Sequence, residues 1–288
     1  MTFVPGVAPP ITALDLGELS GWIAFSAGSN GNEDIYVVRA DGSGLRRLTT
    51  DPGVDMDPSW SPDGKRIAWR TLRGGPEDEI FVMQSDGSGA FNLTANPAED
   101  YSPAWAPDGS GIAFASDRQS LPDLWLIDVD GGARRQITGR IGGEYPSWSA
   151  DASRLVYVVD TDSDPAVSGP RGGWDLFLIN ADGAANNHLT SAVGAEKAPS
   201  WSPDGASIVF EVQVRDHDRP DLWLISPDGS SLRQLTFDGG YSPAWSADSN
   251  FIVYSSHNQL GVISVDGTRR AYLATPGLEE PVFADWTR

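Results

Sequence analysis

Short apolar runs broken by turn signals fill this chain, and the block from residue 57 to residue 94 shows the pattern well. Pro58-Ser59-Trp60-Ser61 is a brief apolar segment, and Ser61-Pro62-Asp63-Gly64 is a turn. Proline presets φ at the second turn position and glycine accepts the left-handed conformation at the last. Arg66-Ile67-Ala68-Trp69 returns as a second strand, and a polar loop leads to Glu79-Ile80-Phe81-Val82-Met83. Asp86-Gly87-Ser88 is a hairpin signal, and Phe91-Asn92-Leu93-Thr94 closes the block. The pattern predicts four short antiparallel strands.

The block recurs. DPSWSPDGKRIAW, SPAWAPDGSGIAF, YPSWSADASRLVY, APSWSPDGASIVF and SPAWSADSNFIVY are five copies, and PVFADWTR is a fragment of a sixth. Their anchors are Trp60, Trp105, Trp148, Trp201, Trp245 and Trp286, spaced by 45, 43, 53, 44 and 41 residues. Self-similarity at this period marks a radial array or a solenoid. The third strands decide between sheet types. Ile35-Tyr36-Val37-Val38, Leu124-Trp125-Leu126-Ile127, Leu176-Phe177-Leu178-Ile179 and Leu222-Trp223-Leu224-Ile225 do not alternate with polar residues. A strand apolar at every position needs cover on both faces, which stacking between neighbouring blades supplies.

The ends fit together. The first block lacks its tryptophan strand and enters at Gly21-Trp22-Ile23-Ala24-Phe25, whereas the tail supplies a spare one, Phe283-Ala284-Asp285-Trp286. The expected fold is therefore all-β: a six-bladed β-propeller with four antiparallel strands per blade, closed by the C-terminal strand completing the first blade. Residues 21–288 form the propeller, and residues 1–20, rich in Pro and Gly, are expected to be an extension or linker.

Composition narrows the partners. The net charge is −20, which disfavours nucleic acid and anionic membrane surfaces and favours cations or basic protein surfaces. No cysteine is present, so disulfides, thiolate metal sites and a cysteine nucleophile are excluded. No run of 18 apolar residues spans a membrane. A monomer is the expected state. If the chain is part of a longer exported protein, a periplasmic or extracellular setting fits; if Met1 is its natural start, a cytoplasmic one does.

The Pro-x-Trp strand, the SPDG turn, the acid-led apolar strand, the DGS turn and Arg-x-Leu-Thr (Arg46-Arg47-Leu48-Thr49; Arg233-Gln234-Leu235-Thr236) together resemble the WD-like repeats of TolB-type propellers. The resemblance covers roughly residues 21–288. It implies a protein-docking platform, or a gating domain as in relatives of prolyl oligopeptidase. Neither the α/β domain that accompanies TolB propellers nor the α/β-hydrolase domain of those peptidases is encoded in the 288 residues.

Strand parity divides the loops between two faces. The SPDG and DGS turns share one, where Asp41, Asp86, Asp130, Asp182, Asp228 and Asp266 recur because the turns need them. The other carries the variable loops and the blade-to-blade connections, so recognition belongs there. An acid precedes most innermost strands: Asp55 and Asp57, Glu99 and Asp100, Glu144, Glu196, and Glu279 with Glu280. Arranged around one channel mouth, Asp55, Asp100, Glu144, Glu196 and Glu280 would suit Ca²⁺ or Mg²⁺, which take hard oxygen ligands; capping of local turns is the structural alternative. The fourth-blade loop, Asp160, Asp162 and Asp164 through Arg171 to Trp174, resembles a calcium loop only at its start. Pro165 stands where such a loop needs Gly, and Arg171 where it needs Glu. It reads better as a partner-contact loop, next to Arg215, His217 and Arg219 of the fifth blade and His257 of the sixth. The acids opening the third strands (Asp34, Glu79, Asp123, Asp175, Asp221) are expected to do one structural job, such as bonding to the adjoining blade.

No GxSxG, HExxH, phosphate loop or dinucleotide fingerprint occurs, and only three histidines do. The leading expectation is a non-enzymatic platform for a protein or peptide, with Ca²⁺ or Mg²⁺ as the candidate ion and no organic cofactor. A carbohydrate- or metabolite-active enzyme using channel carboxylates or His217 and His257 is one alternative. An architectural or sensor domain of a larger surface protein is the other.

Overall fold

A computed structural model describes residues 8–28, 31–119, 121–139, 142–161, 173–190, 194–214 and 219–287. They form six sheets, each built on four antiparallel strands. Blade one joins the end of the chain to its beginning: Val282–Trp286 is its inner strand, followed by Trp22–Ala27, Asp34–Arg39 and Arg46–Arg47. Blades two to six have inner strands Asp55–Trp60, Asp100–Trp105, Glu144–Trp148, Ala195–Trp201 and Tyr241–Trp245. Each inner strand touches the next, and the sixth touches the first, so the ring is closed as the repeat predicted.

The core lies between blades. On each second strand a small residue is followed by an aromatic: Ala24-Phe25, Ala68-Trp69, Ala113-Phe114, Val156-Tyr157, Val209-Phe210 and Val253-Tyr254. Side chains alternate across a sheet, so the two point to opposite neighbours. Trp69 of blade two shares its apolar layer with Ala24 of blade one, and Phe114 of blade three shares its layer with Ala68 of blade two. The same pairing continues round the ring to Phe25 with Val253. Each interface thus sets a large ring against a small side chain, which lets tapered sheets pack without voids.

Outer edges are short. Five blades end in strands of two or three residues, and most carry arginine, features that discourage edge-to-edge pairing. Blade six differs, with a five-residue outer strand, Arg269–Leu273. Thr12–Ala13 pairs with it in parallel, Thr12 opposite Arg269. Leu14 and Leu19 then enter the layer between blades six and one, Glu18 meets Arg269 at 2.9 Å, and Trp286 Nε1 donates to the Ser20 carbonyl at 2.9 Å. The stretch from Thr12 to Ser20 is thus packed onto the seam where the ring closes.

Candidate functional site

The axial cavity is built from one repeated irregularity. Three residues before each anchor tryptophan stand Asp57, Ser102, Tyr145, Ala198, Ser242 and Phe283, and all six have φ between 46° and 54°. A register shift marks the same place in every blade. In five blades proline follows (Pro58, Pro103, Pro146, Pro199, Pro243), and its missing N–H removes a ladder bond there. The strand bulges, and the left-handed residue turns toward the axis. Non-glycine residues in that conformation cost about 1–2 kcal/mol each, so the ring is held by its surroundings rather than by preference.

The cavity these strands enclose is about 150 Å³. Around its rim the chemistry is uneven. Arg70 binds two carboxylates at once, Asp57 Oδ2 at 2.9 Å and Asp78 Oδ2 at 2.7 Å. The second oxygens of both acids have no hydrogen-bond partner. Burial raises the Asp57 carboxyl above the usual carboxylate range, against the pull of Arg70. Tyr145, beside them, is kept neutral by burial and by the charge on Asp57.

Across the mouth, the Lys197 ammonium lies 4.8 Å from the ring centroid of Trp174. It is one of two lysines in the chain. Glu144 and Glu211 both have raised pKa values, chiefly through burial, and Lys197 moderates each. Tyr101 hydrogen-bonds Glu144, and Glu211 accepts the Ser242 N–H at 3.0 Å. Tyr241 feels Glu280 and Arg219. Tyr101, Tyr145 and Tyr241, with interleaved acids and two cations, make a surface that offers aromatic area and charge-assisted bonds together.

Of the residues singled out from sequence, Glu144, Asp160 and Trp174 meet at this mouth. Asp160 is opposite Trp174 in the ladder, and its charge acts on Glu144. Glu280 is exposed, with φ at 45°, and Arg219 is exposed. His257 occupies a two-residue turn with Asn258, and its Nδ1 lies 2.7 Å from Ser256 Oγ. Asp162, Asp164, Arg171, Arg215 and His217 lie outside the described residues. The five acids expected to share an ion are not brought together. Asp55, fully buried, accepts Trp69 Nε1 at 2.9 Å and faces Arg73. Asp100 meets Arg118 at 2.7 Å, and Glu196 takes the Thr190 hydroxyl and the Leu176 N–H. Among the described residues no group of three or more His, Asp or Glu side chains is placed to hold a metal ion.

Four of the five third-strand acids share one job, but within their own blade; Asp175 instead takes the Thr161 hydroxyl and faces His188, because Thr190 donates to Glu196. Thr49, Thr94, Thr138 and Thr236 donate to Asp34, Glu79, Asp123 and Asp221, and each threonine accepts the next third-strand N–H at 2.8–3.0 Å. The reason is reach: the Leu-Thr or Ile-Thr pair that follows the outer strand in blades one to five lies over the start of the third strand, as the bonds from Leu48, Leu93, Ile137, Leu189 and Leu235 N–H to third-strand carbonyls show. The DGS aspartates are turn residues as expected, Asp41, Asp86 and Asp228 each accepting the N–H two residues on. Sequence reading undervalued Arg70, Glu211 and Lys197. Their signal was the repeat register: Arg70 and Glu211 fill the same second-strand position, opposite Met56 and Lys197.

Residues 73–170 match the TolB beta propeller domain. The Tol-Pal system protein TolB of Francisella tularensis subsp. holarctica is 29% identical over 233 residues, covering 78% of this chain and 52% of that protein. The chain therefore spans about half the length of the curated relatives it matches first. A crystal structure of TolB from Acinetobacter baumannii superposes with a TM-score of 0.79 at 16% identity, over 95% of this chain and 67% of that one. A putative TolB from Agrobacterium tumefaciens gives 0.71 at 19% identity, over 92% of both chains. The chain is a six-bladed β-propeller similar to those of TolB proteins.

Proposed function

We propose that the channel mouth and the variable loops beside it form a non-catalytic platform for a protein or peptide partner with a basic surface. The observation that carries this is the mouth itself, where three tyrosines stand among buried, incompletely neutralised carboxylates. Aromatic side chains of this kind supply contact area at low entropic cost, and charge gives orientation and on-rate. The overall charge of −20 steers basic partners toward such a surface. The Francisella relative is named as a Tol-Pal system protein, and a docking role here is in keeping with membership of a system. Ca²⁺ or Mg²⁺ is not needed for this reading, because Asp55 and Asp100 give oxygens to their own blades and Glu196 gives one to blade four next to it.

Selection from a library of linear peptides, followed by NMR mapping, tests it. Selected sequences should be rich in Lys or Arg, compete with one another, and shift resonances of Tyr101, Tyr145 and Tyr241. Selection of peptides that map to the SPDG face would overturn it.

A further inference from the structure

The ring of left-handed residues is chemically two-sided. Going round the axis, blades two, three and four present Asp57, Ser102 and Tyr145; blades five, six and one present Ala198, Ser242 and Phe283. One half offers a carboxylate, a hydroxyl and a phenol, and the other is largely apolar. On the polar half two oxygens lack partners. Asp57 Oδ1 accepts no hydrogen bond, and Ser102, which is 7% exposed and lines the cavity, has a hydroxyl with no partner. Asp57 also shares Arg70 with Asp78, so among the described residues two carboxyls face one guanidinium there.

We infer that the axial cavity is a pocket for an aliphatic cation, the lysine or arginine side chain of the partner peptide. The charged head binds Asp57 Oδ1 and Ser102 Oγ under the Tyr145 ring, and the methylene stem lies against Phe283 and Ala198. Long cationic side chains divide in this way, with the stem on apolar surface and the head on polar groups. A head with several N–H donors meets Ser102 Oγ, which has no partner among the described residues, and the Asp57 carboxylate, which Arg70 and the Ser102 N–H satisfy on one side only, and an aromatic face adds a cation–π contact. The cavity, about 150 Å³, suits a single side chain rather than a folded element. This inference rests on the platform reading above and names what that platform grips.

Titration followed by NMR, with n-pentylammonium and n-pentanol as probes, reads the pocket alone. Ac-Gly-Gly-Lys-Gly-Gly-amide and its norleucine counterpart read it within a peptide. n-Pentylammonium should shift the channel resonances at least tenfold more tightly than n-pentanol, and the lysine peptide should exceed the norleucine peptide similarly. Asp57→Asn should remove most of that preference, and asparagine accepts the left-handed conformation, so the variant should fold. Ser102→Ala should weaken n-pentylammonium two- to fivefold, and the same backbone geometry already holds an alanine at position 198. Equal binding of charged and uncharged probes, or unchanged binding by Asp57→Asn, would overturn the pocket. Norleucine and lysine peptides binding equally well at the mouth would sink the pocket and spare the platform. n-Pentylammonium binding while no peptide library yields a binder would support the pocket and remove the platform.

Discussion

Asp285, on the last strand of the chain, accepts the main-chain N–H of Trp60 in blade two at 2.7 Å. The closing strand is therefore tied forward to blade two as well as sideways to the Trp22–Ala27 strand of its own sheet. Ser59 accepts the Trp105 N–H at 3.1 Å and Ser147 accepts the Trp201 N–H at 3.0 Å, so the residue before an anchor tryptophan repeatedly reaches the next inner strand. Asp285 is the charged member of the set and sits where the ring closes. Asp285→Ala should cost about 2–3 kcal/mol, because it strands a part-buried N–H that now has a charged acceptor. Ser59→Ala should cost about 1 kcal/mol. Urea unfolding of the two variants against the parent measures both. Equal midpoints for all three proteins would mean that closure does not depend on this bond.

In blades one to five the threonine at the end of the outer strand makes two buried bonds at once. Thr236 accepts the Leu222 N–H at 2.8 Å and donates to Asp221 at 3.1 Å. Thr236→Val keeps the shape and deletes both bonds, leaving an amide and a carboxylate short of partners. A loss of about 2–4 kcal/mol is expected. Thr236→Ser restores the hydroxyl and should recover most of it, losing only a methyl group. A valine variant as stable as the serine one would show that the Leu-Thr signature packs rather than bonds.

The N-terminal stretch covers the longest free edge in the ring. Leu14→Ala should destabilise by about 2–3 kcal/mol, since Leu14 is 6% exposed within the layer between blades six and one. Removing residues 1–15 goes further, because it uncovers the edge of Arg269–Leu273. An unpaired five-residue edge invites strand addition from a second molecule. Light scattering on the shortened protein should show concentration-dependent association at temperatures where the full chain stays dispersed.

Blade number, strand order and ring closure were legible because they rest on repetition, which six copies of Pro-x-Trp and its relatives state repeatedly. The division into two loop faces followed from parity alone. Positions inside the site were harder to read. Asp55, Asp57 and Asp100 are all acids near the start of an inner strand, yet only Asp57 follows the bulge onto the cavity wall, and a two-residue offset decides it. Burial then separates Asp55, used up by Trp69, from Asp57, with an oxygen to spare. The role of Thr12–Ala13 was hidden for another reason. Two paired residues carry no period, and a Pro- and Gly-rich flank suits a linker or an edge segment equally until the structure pairs Thr12 with Arg269.

Glu196 gives a pH signature that sequence composition would not suggest. It is fully buried between blades four and five, and that burial pushes its carboxyl up to about 8. The Thr190 hydroxyl and Leu176 N–H pull the other way, the Asp175 charge adds to the rise, and its second oxygen has no partner. In the unfolded chain the group titrates near its ordinary value of 4.5. Between the two values the folded state holds a proton that the unfolded state has released. The stabilisation is therefore complete below about pH 4.5 and is lost as pH rises through about 8. The slope contributed by one such proton approaches about 1.4 kcal/mol per pH unit. Self-repulsion from a charge of −20 also weakens the fold as pH rises, so wild-type data alone do not isolate the residue. Glu196→Gln does, because glutamine imitates the protonated carboxyl and cannot ionise. Chemical unfolding at pH 5, 6, 7 and 8 should show the variant gaining steadily on the parent, with near-equal stability at pH 5. Parallel curves across that range would mean that Glu196 is ionised in the fold, and that a counter-charge holds it there.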